Sequence, residues 1–180
     1  MSIVVAAAIA RQRYDRPYDP ITQTLSVLAS SGSGTLVMTM GFVITACCHL
    51  ITATGLRVLR PMPRIALVMA GICGLGVAVF RQPPTGATVL HLWSVALGLG
   101  IFTVWPLLTL TRDSVGPITS RPRIAFAATA LLAVLLAWLL FETQGGTMLG
   151  LAERICIVSQ TLWPLTVATL ARWPLGSATA

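Results

Sequence analysis

The stretch IAFAATALLAVLLAWLLF, residues 124–141, decides the fold class because it contains no charged residue, no glycine and no proline. An α-helix needs about 20 predominantly apolar residues to cross the hydrocarbon core of a bilayer. Residues 124–141 approach that length, and the nearest charged residues, Arg123 and Glu142, lie directly on either side. This stretch therefore predicts a membrane-spanning helix.

Apolar stretches of similar length recur along the chain, separated by basic or turn-forming linkers such as RVLRPMPR and RQPPTG. They predict five full spans, at residues 35–56, 61–80, 87–110, 124–141 and 149–171. We expect these spans to pack into a single domain over residues 1–180. The predicted fold class is all-α, a polytopic transmembrane helix bundle.

The composition supports a membrane protein. Hydrophobic residues make up 56% of the 180 residues and charged residues only 9%, whereas roughly 25% of an average soluble domain is charged. This excludes an ordinary soluble enzyme and a disordered chain. The net charge of +7 comes entirely from arginines, since there is no lysine. The arginines lie in the linkers, which favours contact with lipid headgroups over binding to nucleic acid.

The distribution of arginines predicts an orientation. If the spans alternate in direction, five arginines lie on one side of the membrane and seven on the other, so the second side is predicted to be cytoplasmic. The first set is Arg11, Arg13, Arg16, Arg81 and Arg154, and the second is Arg57, Arg60, Arg64, Arg112, Arg121, Arg123 and Arg172. Both chain termini are then cytoplasmic. The lack of lysine beside abundant arginine, alanine and glycine suggests a bacterial plasma membrane protein.

The beginning of the chain departs from the pattern of full spans. Residues 1–10 are apolar but only about half as long as a spanning helix, and we interpret them as a short, truncated first helix. The polar stretch 11–34 follows, in which Pro17 and Pro20 prevent a continuous helix. We expect an outer loop with a short interfacial or re-entrant helix over residues 21–29.

The sequence offers no pattern typical of a metal or cofactor site. The four cysteines lie inside apolar runs without metal-ligand or redox spacing, so we expect them to be structural and free. His49 lies about 21 Å from the outer end of its helix and His91 lies near the outer end of its own, so they are poorly placed to share a haem. We expect His49 to bond to a neighbouring helix.

Polar residues gather on the predicted outer side. The adjacent residues Glu153 and Arg154 lie near the beginning of the last span. An ionisable residue in a membrane helix costs free energy unless it is paired with another group or in contact with water. Gln160 lies two turns further along the same helix face as Glu153. The candidate ligand-binding residues are Tyr18, Asp19, Ser26, His91, Glu153 and Arg154.

Several interpretations of this outer cluster stay open. Its members could bond to one another and hold the first loop on the bundle, or they could bind a lipid or an apolar small molecule. A lipid hydrolase would use Ser26 as nucleophile, His91 as base and Asp19 or Glu153 to orient the histidine, although no G-x-S-x-G elbow surrounds Ser26.

We favour a non-enzymatic function. The protein would handle a lipid or an apolar molecule at the outer leaflet, with membrane lipids as its partners, or it would be an accessory subunit beside other membrane protein subunits. A passive permease is a further alternative, with its path near the glycines of 71–76. An ion pump is disfavoured because the spans lack acids near their centres.

The segment YDPITQTLSVLAS resembles the Y-x-P-x-x-x-x-x-S-x-L signature of the domain-of-unknown-function 998 family. The PPTG turn before His91 and the stretch GLAERICIVSQTLWPL are also similar to that family. The resemblance implies a six-helix membrane protein of bacteria or archaea, and no established activity. It carries over to Tyr18, Pro20, Ser26, His91, Glu153 and Arg154. Here the first helix is shorter than the family's, and the turn before His91 lacks the acid often found there.

Overall fold

The computed structural model describes residues 2–84, 86–110 and 118–172, so Arg112 and the side chain of Arg172 lie outside the described residues. Within these ranges the chain forms seven α-helices and a short 3-10 turn at Ile118–Ser120, and no strand. The helices are α1 (Ser2–Gln12), α2 (Leu25–Leu28), α3 (Thr35–Gly55), α4 (Pro61–Val79), α5 (Val89–Leu108), α6 (Pro122–Glu142) and α7 (Leu149–Arg172).

Four helices, α3 to α6, are long and apolar enough to cross a membrane. The fifth predicted span, α7, has 24 residues but carries Glu153, Arg154 and Gln160, and it is not one of those four. The all-helical architecture confirms the predicted fold class, a helical membrane bundle.

The long helices pack mainly against their neighbours in the chain, α3 on α4, α4 on α5, α5 on α6 and α6 on α7, while α7 also contacts α5 and α3. Short connections between them make successive helices antiparallel. One end of the bundle therefore gathers the ends of α1, α4 and α6 and the beginnings of α3, α5 and α7. We call it the loop end, because residues 13–34 lie there.

Small residues allow the closest helix contacts. A side chain at Gly74 would place its Cβ 3.1 Å from the Cβ of Ala46, and one at Gly98 would place it 3.3 Å from the Cβ of Cys73. The glycine-rich part of α4 is thus packed against its neighbours, as is common for membrane helices. The permease alternative gains no support from this region.

The short helix α1 runs beside only the first half of α3. Its Ala6 lies against Gly41, and the hydroxyl groups of Ser2 and Thr45 are 2.7 Å apart. The 11 residues of α1 cover about 16 Å, roughly half the thickness of the hydrocarbon core. It extends to Gln12, two residues beyond the predicted end.

The helix predicted over residues 21–29 is shorter in the structure, where α2 covers only Leu25–Leu28. A turn precedes it. The carboxylate of Asp19 accepts hydrogen bonds from the backbone N–H of Ile21 (3.0 Å) and the hydroxyl of Thr22 (2.9 Å). An Asp side chain that bonds the backbone two residues ahead stabilises a turn in place of a helix. This explains the later start of α2.

Candidate functional site

An apolar cleft lies between α3, α4, α5 and α7, with Ser26 of α2 at its loop end. We call it the central cleft. It encloses about 100 Å³, and Phe42, Phe102 and Ile157 contribute apolar walls. Along α7 it extends from Glu153 to Thr161, about 12 Å at 1.5 Å per residue. It is long enough for an apolar chain.

Ser26 and His91, predicted as nucleophile and base, are in contact. The Nδ1 of His91 lies 2.8 Å from the carbonyl oxygen of Phe80. Because a carbonyl can only accept, Nδ1 carries the hydrogen, and Nε2 is left to accept. The Ser26 hydroxyl donates to that Nε2 at 3.1 Å. Both side chains are buried, and Ser26, but not His91, lines the central cleft.

Neither predicted carboxylate orients His91. Asp19 is bound to its own turn, and Glu153 accepts a hydrogen bond from the backbone N–H of Leu25 at 2.5 Å. The carbonyl oxygen of Phe80 takes the place that the hydrolase hypothesis gave to an acid. Sequence reasoning considered only side chains for this position and therefore missed it.

Glu153 and Arg154 do not pair with each other, since neighbouring helical residues point about 100° apart. The Nη1 of Arg154 donates to the carbonyl oxygens of Pro20 (2.8 Å), Gln23 (3.0 Å) and Gly150 (2.7 Å). All the hydrogen-bond partners described for Arg154 are neutral. The guanidinium thus fastens the turn of the first loop to the beginning of α7.

Tyr18 completes this attachment. Its ring lies 5.6 Å from the guanidinium carbon of Arg154, and its hydroxyl accepts a hydrogen bond from Nη2. The hydroxyl also lies within hydrogen-bond distance of the carbonyl oxygens of Gln23 and Thr24. Burial raises the pKa of Tyr18, and the nearby charge of Arg154 opposes that rise.

The six predicted site residues are therefore divided among different surroundings. Ser26 and Glu153 line the central cleft. Tyr18 and Arg154 line a separate groove beside α1. Asp19 is exposed in its turn, and His91 bonds to Ser26 without lining the cleft. The sequence correctly places these residues at one end of the bundle, while the structure brings only some of them to the cleft.

Two further polar side chains line the deeper part of the central cleft, His49 of α3 and Gln160 of α7. The prediction that His49 bonds to a neighbouring helix is wrong for the described residues. Its ring packs on Phe102, with the ring centroids 4.7 Å apart, and its polar neighbour is the backbone of Thr45, one turn earlier in α3 itself. Gln160 was not among the predicted site residues, although it shares a face of α7 with Glu153. That shared face was the available signal.

Comparison with known proteins identifies the family. A family model described as "Protein of unknown function (DUF998)" matches residues 1–170, nearly the whole chain, so the chain belongs to the DUF998 family. This confirms the resemblance inferred from the first loop and the last helix. No curated protein and no solved structure matches the chain.

Proposed function

We propose that this DUF998 protein binds a membrane lipid or a similar amphiphile, with the apolar chain of the ligand in the central cleft. The observation that carries this proposal is the cleft itself, an elongated cavity of about 100 Å³ that extends about 12 Å along α7. Its walls are mainly apolar, and polar side chains lie towards each end.

The loop end suits an amphiphilic ligand. Ser26 and Glu153 lie where the apolar walls of the cleft end, so the polar part of a lipid would meet polar side chains there. In the orientation that the arginines favour, the loop end faces the outside of a bacterial plasma membrane. The protein would then take its ligand from the outer leaflet.

The proposal is tested by narrowing the cleft. The protein is extracted in mild detergent, and mass spectrometry measures the lipid that remains bound. Val95→Phe puts a larger side chain into the cleft lining and is expected to reduce bound lipid several-fold. Leu97→Phe is the matched control, because Leu97 is 53% exposed on the outside of the same helix.

Equal lipid content in wild type and Val95→Phe would overturn the proposal. A stoichiometric second protein in the native spectrum, without bound lipid, would instead support the accessory-subunit alternative.

The contact between Ser26 and His91 favours a second candidate, hydrolysis of a lipid ester. In that reaction Nε2 of His91 takes the proton of Ser26 as Oγ forms a bond to the ester carbonyl carbon. The proton then passes to the departing alkoxide, and water later releases the acyl group from Ser26. The carbonyl oxygen of Phe80 holds His91 in the tautomer that this requires.

An alkyl fluorophosphonate tests this candidate, since it labels activated serine hydroxyls covalently. The hydrolase candidate predicts labelling of the wild type that is lost in Ser26→Ala and kept in Ser94→Ala. Ser94 also lines the cleft, but its hydroxyl donates to the carbonyl oxygen of Leu90 at 2.8 Å. An unlabelled wild type would leave the Ser26–His91 hydrogen bond with a purely structural role.

A further inference from the structure

The central cleft contains an unusual pair of buried polar groups in its deeper part. Gln160 is 1% exposed and His49 is 7% exposed, and both line the cleft. The Oε1 of Gln160 has no hydrogen-bond partner among the described residues. Native proteins leave few buried polar atoms unpaired, so such an atom calls for an explanation.

The orientation of the Gln160 amide follows from its neighbours. Its Nε2 donates to the carbonyl oxygen of Leu99 (3.2 Å) and to the hydroxyl of Thr103 (3.0 Å). The Thr103 hydroxyl itself donates to the Leu99 carbonyl, so both partners can only accept from Gln160. The NH₂ group must therefore face them, and the unpaired atom is the oxygen. An amide oxygen accepts hydrogen bonds and cannot donate one.

The other hydroxyl groups of the cleft wall are already bound by the protein. Thr161 donates to the carbonyl oxygen of Ile157 at 2.9 Å, and Thr45 donates to that of Gly41 at 2.8 Å. The Ser94 hydroxyl is bound in the same way within its own helix. The amide oxygen of Gln160 is thus the atom of the described cleft wall that is buried without a partner.

Resting on the proposed function, we infer that the cleft selects a ligand whose deeply inserted part carries a hydroxyl group, an alcohol or a phenol. The hydroxyl hydrogen bonds to Oε1 of Gln160. A ketone, an ester or an ether can only accept, and would leave Oε1 without a donor. An ammonium group could donate, but its charge is costly in the middle of a bilayer.

The test compares 1-decanol with decyl methyl ether, which carries the same chain but lacks the hydroxyl hydrogen. Apparent dissociation constants come from the dose-dependent rise in melting temperature of the full chain in detergent. We expect the wild type to bind the alcohol about tenfold more tightly than the ether. Each probe partitions into the micelle to the same extent whichever variant is present. Comparing the ratio of the two dissociation constants between variants therefore cancels this partitioning.

Gln160→Met replaces the amide by an apolar side chain of similar length and is expected to bring this ratio close to one. Thr161→Val is the matched control, because it removes a hydroxyl of the same cleft that the helix already satisfies, and it should keep the wild-type ratio. Gln160→Leu, which also removes the amide oxygen, is a second variant if Gln160→Met fails to fold, and it is expected to lower the ratio in the same way.

Two outcomes separate this inference from the proposed function. Equal affinity of the wild type for both probes, with binding lost in Val95→Phe, would overturn the hydroxyl preference and leave the cleft as a binding site. Water would then be the partner of Oε1. Failure of both probes to bind, or binding that Val95→Phe leaves unchanged, would overturn the proposed function and the hydroxyl preference together.

Discussion

The loop end and the deeper part of the central cleft both bury polar side chains, but they treat them in opposite ways. At the loop end, Ser26 bonds to His91, Glu153 to Leu25 and Arg154 to three backbone carbonyls. About 10 Å from Glu153 along α7, Gln160 keeps an unpaired oxygen.

A buried polar group left without a partner costs about 1–3 kcal/mol, whereas a satisfied one contributes modestly to stability. The loop-end residues are therefore expected to stabilise the fold. The polar side chains deeper in the cleft are expected to contribute little to it, which leaves them available for a ligand. Substitutions at the loop end should therefore lower the unfolding free energy more than substitutions deeper in the cleft.

The largest effect is expected for Arg154→Leu, because three carbonyl oxygens lose a charged donor at once. We expect a loss of about 3 kcal/mol or more of unfolding free energy. Loosening of the first loop should also speed up trypsin cleavage after Arg13, whereas the bond after Arg16 resists trypsin because Pro17 follows it. Arg57→Leu is the control, since Arg57 is exposed at the opposite end of the bundle. Equal cleavage of the two variants would show that Arg154 does not hold the loop.

Ser26→Ala should have an intermediate effect. It leaves Nε2 of the buried His91 without its donor, and we expect a cost of about 1–2 kcal/mol, measured by denaturation in detergent. Ser30→Ala is a suitable control, because Ser30 bonds only to the carbonyl oxygen of Val27 within the same segment. No difference between these variants would mean that the Ser26–His91 contact adds nothing to stability.

Gln160→Met should change stability by less than about 0.5 kcal/mol. The lost hydrogen bonds of Nε2 are offset by removal of the unpaired oxygen, and the Leu99 carbonyl keeps the Thr103 hydroxyl as a donor. The same denaturation experiment measures this. A loss of unfolding free energy as large as that of Ser26→Ala would show that the polar side chains deeper in the cleft stabilise the fold as much as those at the loop end.

The smallest effect concerns Asp19, which is exposed. The backbone N–H of Ile21, and then the hydroxyl of Thr22, lower the pKa of Asp19 from its ordinary value of 3.8. Because the folded pKa lies below the unfolded value, these turn contacts are complete above pH 3.8 and are lost as the pH falls through the folded pKa.

We expect the NMR amide signal of Ile21 to titrate with a midpoint below 3.8, without a change in melting temperature attributable to this group. A midpoint above 3.8 would contradict the turn geometry. Asp19→Asn, which removes the titrating group, is the control.

The sequence was a good guide to the long helices, because an apolar stretch of bilayer length leaves the chain little choice but a helix. It also placed four polar residues at one end of the bundle, because Ser26 lies in the predicted first loop and the others lie near the ends of predicted spans, His91, Glu153 and Arg154.

Prediction from the sequence failed where a contact depends on which helices become neighbours. Leu25 and Glu153 are 128 residues apart in the chain, and no local pattern predicts their hydrogen bond. The partners of His49 and the Phe80 carbonyl beside His91 depend in the same way on helix packing. The length of α2 was overestimated because the hydrogen bonds made by Asp19 compete with helix formation.

The hydrogen bond between Leu25 and Glu153 also has a consequence for biosynthesis. At about 5–20 residues per second, a ribosome takes roughly 6 to 26 s to translate the 128 residues that separate the two. During that interval Leu25 has been made but Glu153, the acceptor of its amide hydrogen, has not. The first loop can thus bond to His91 early in synthesis, but it gains its contact with Glu153 only once the beginning of α7 has been made.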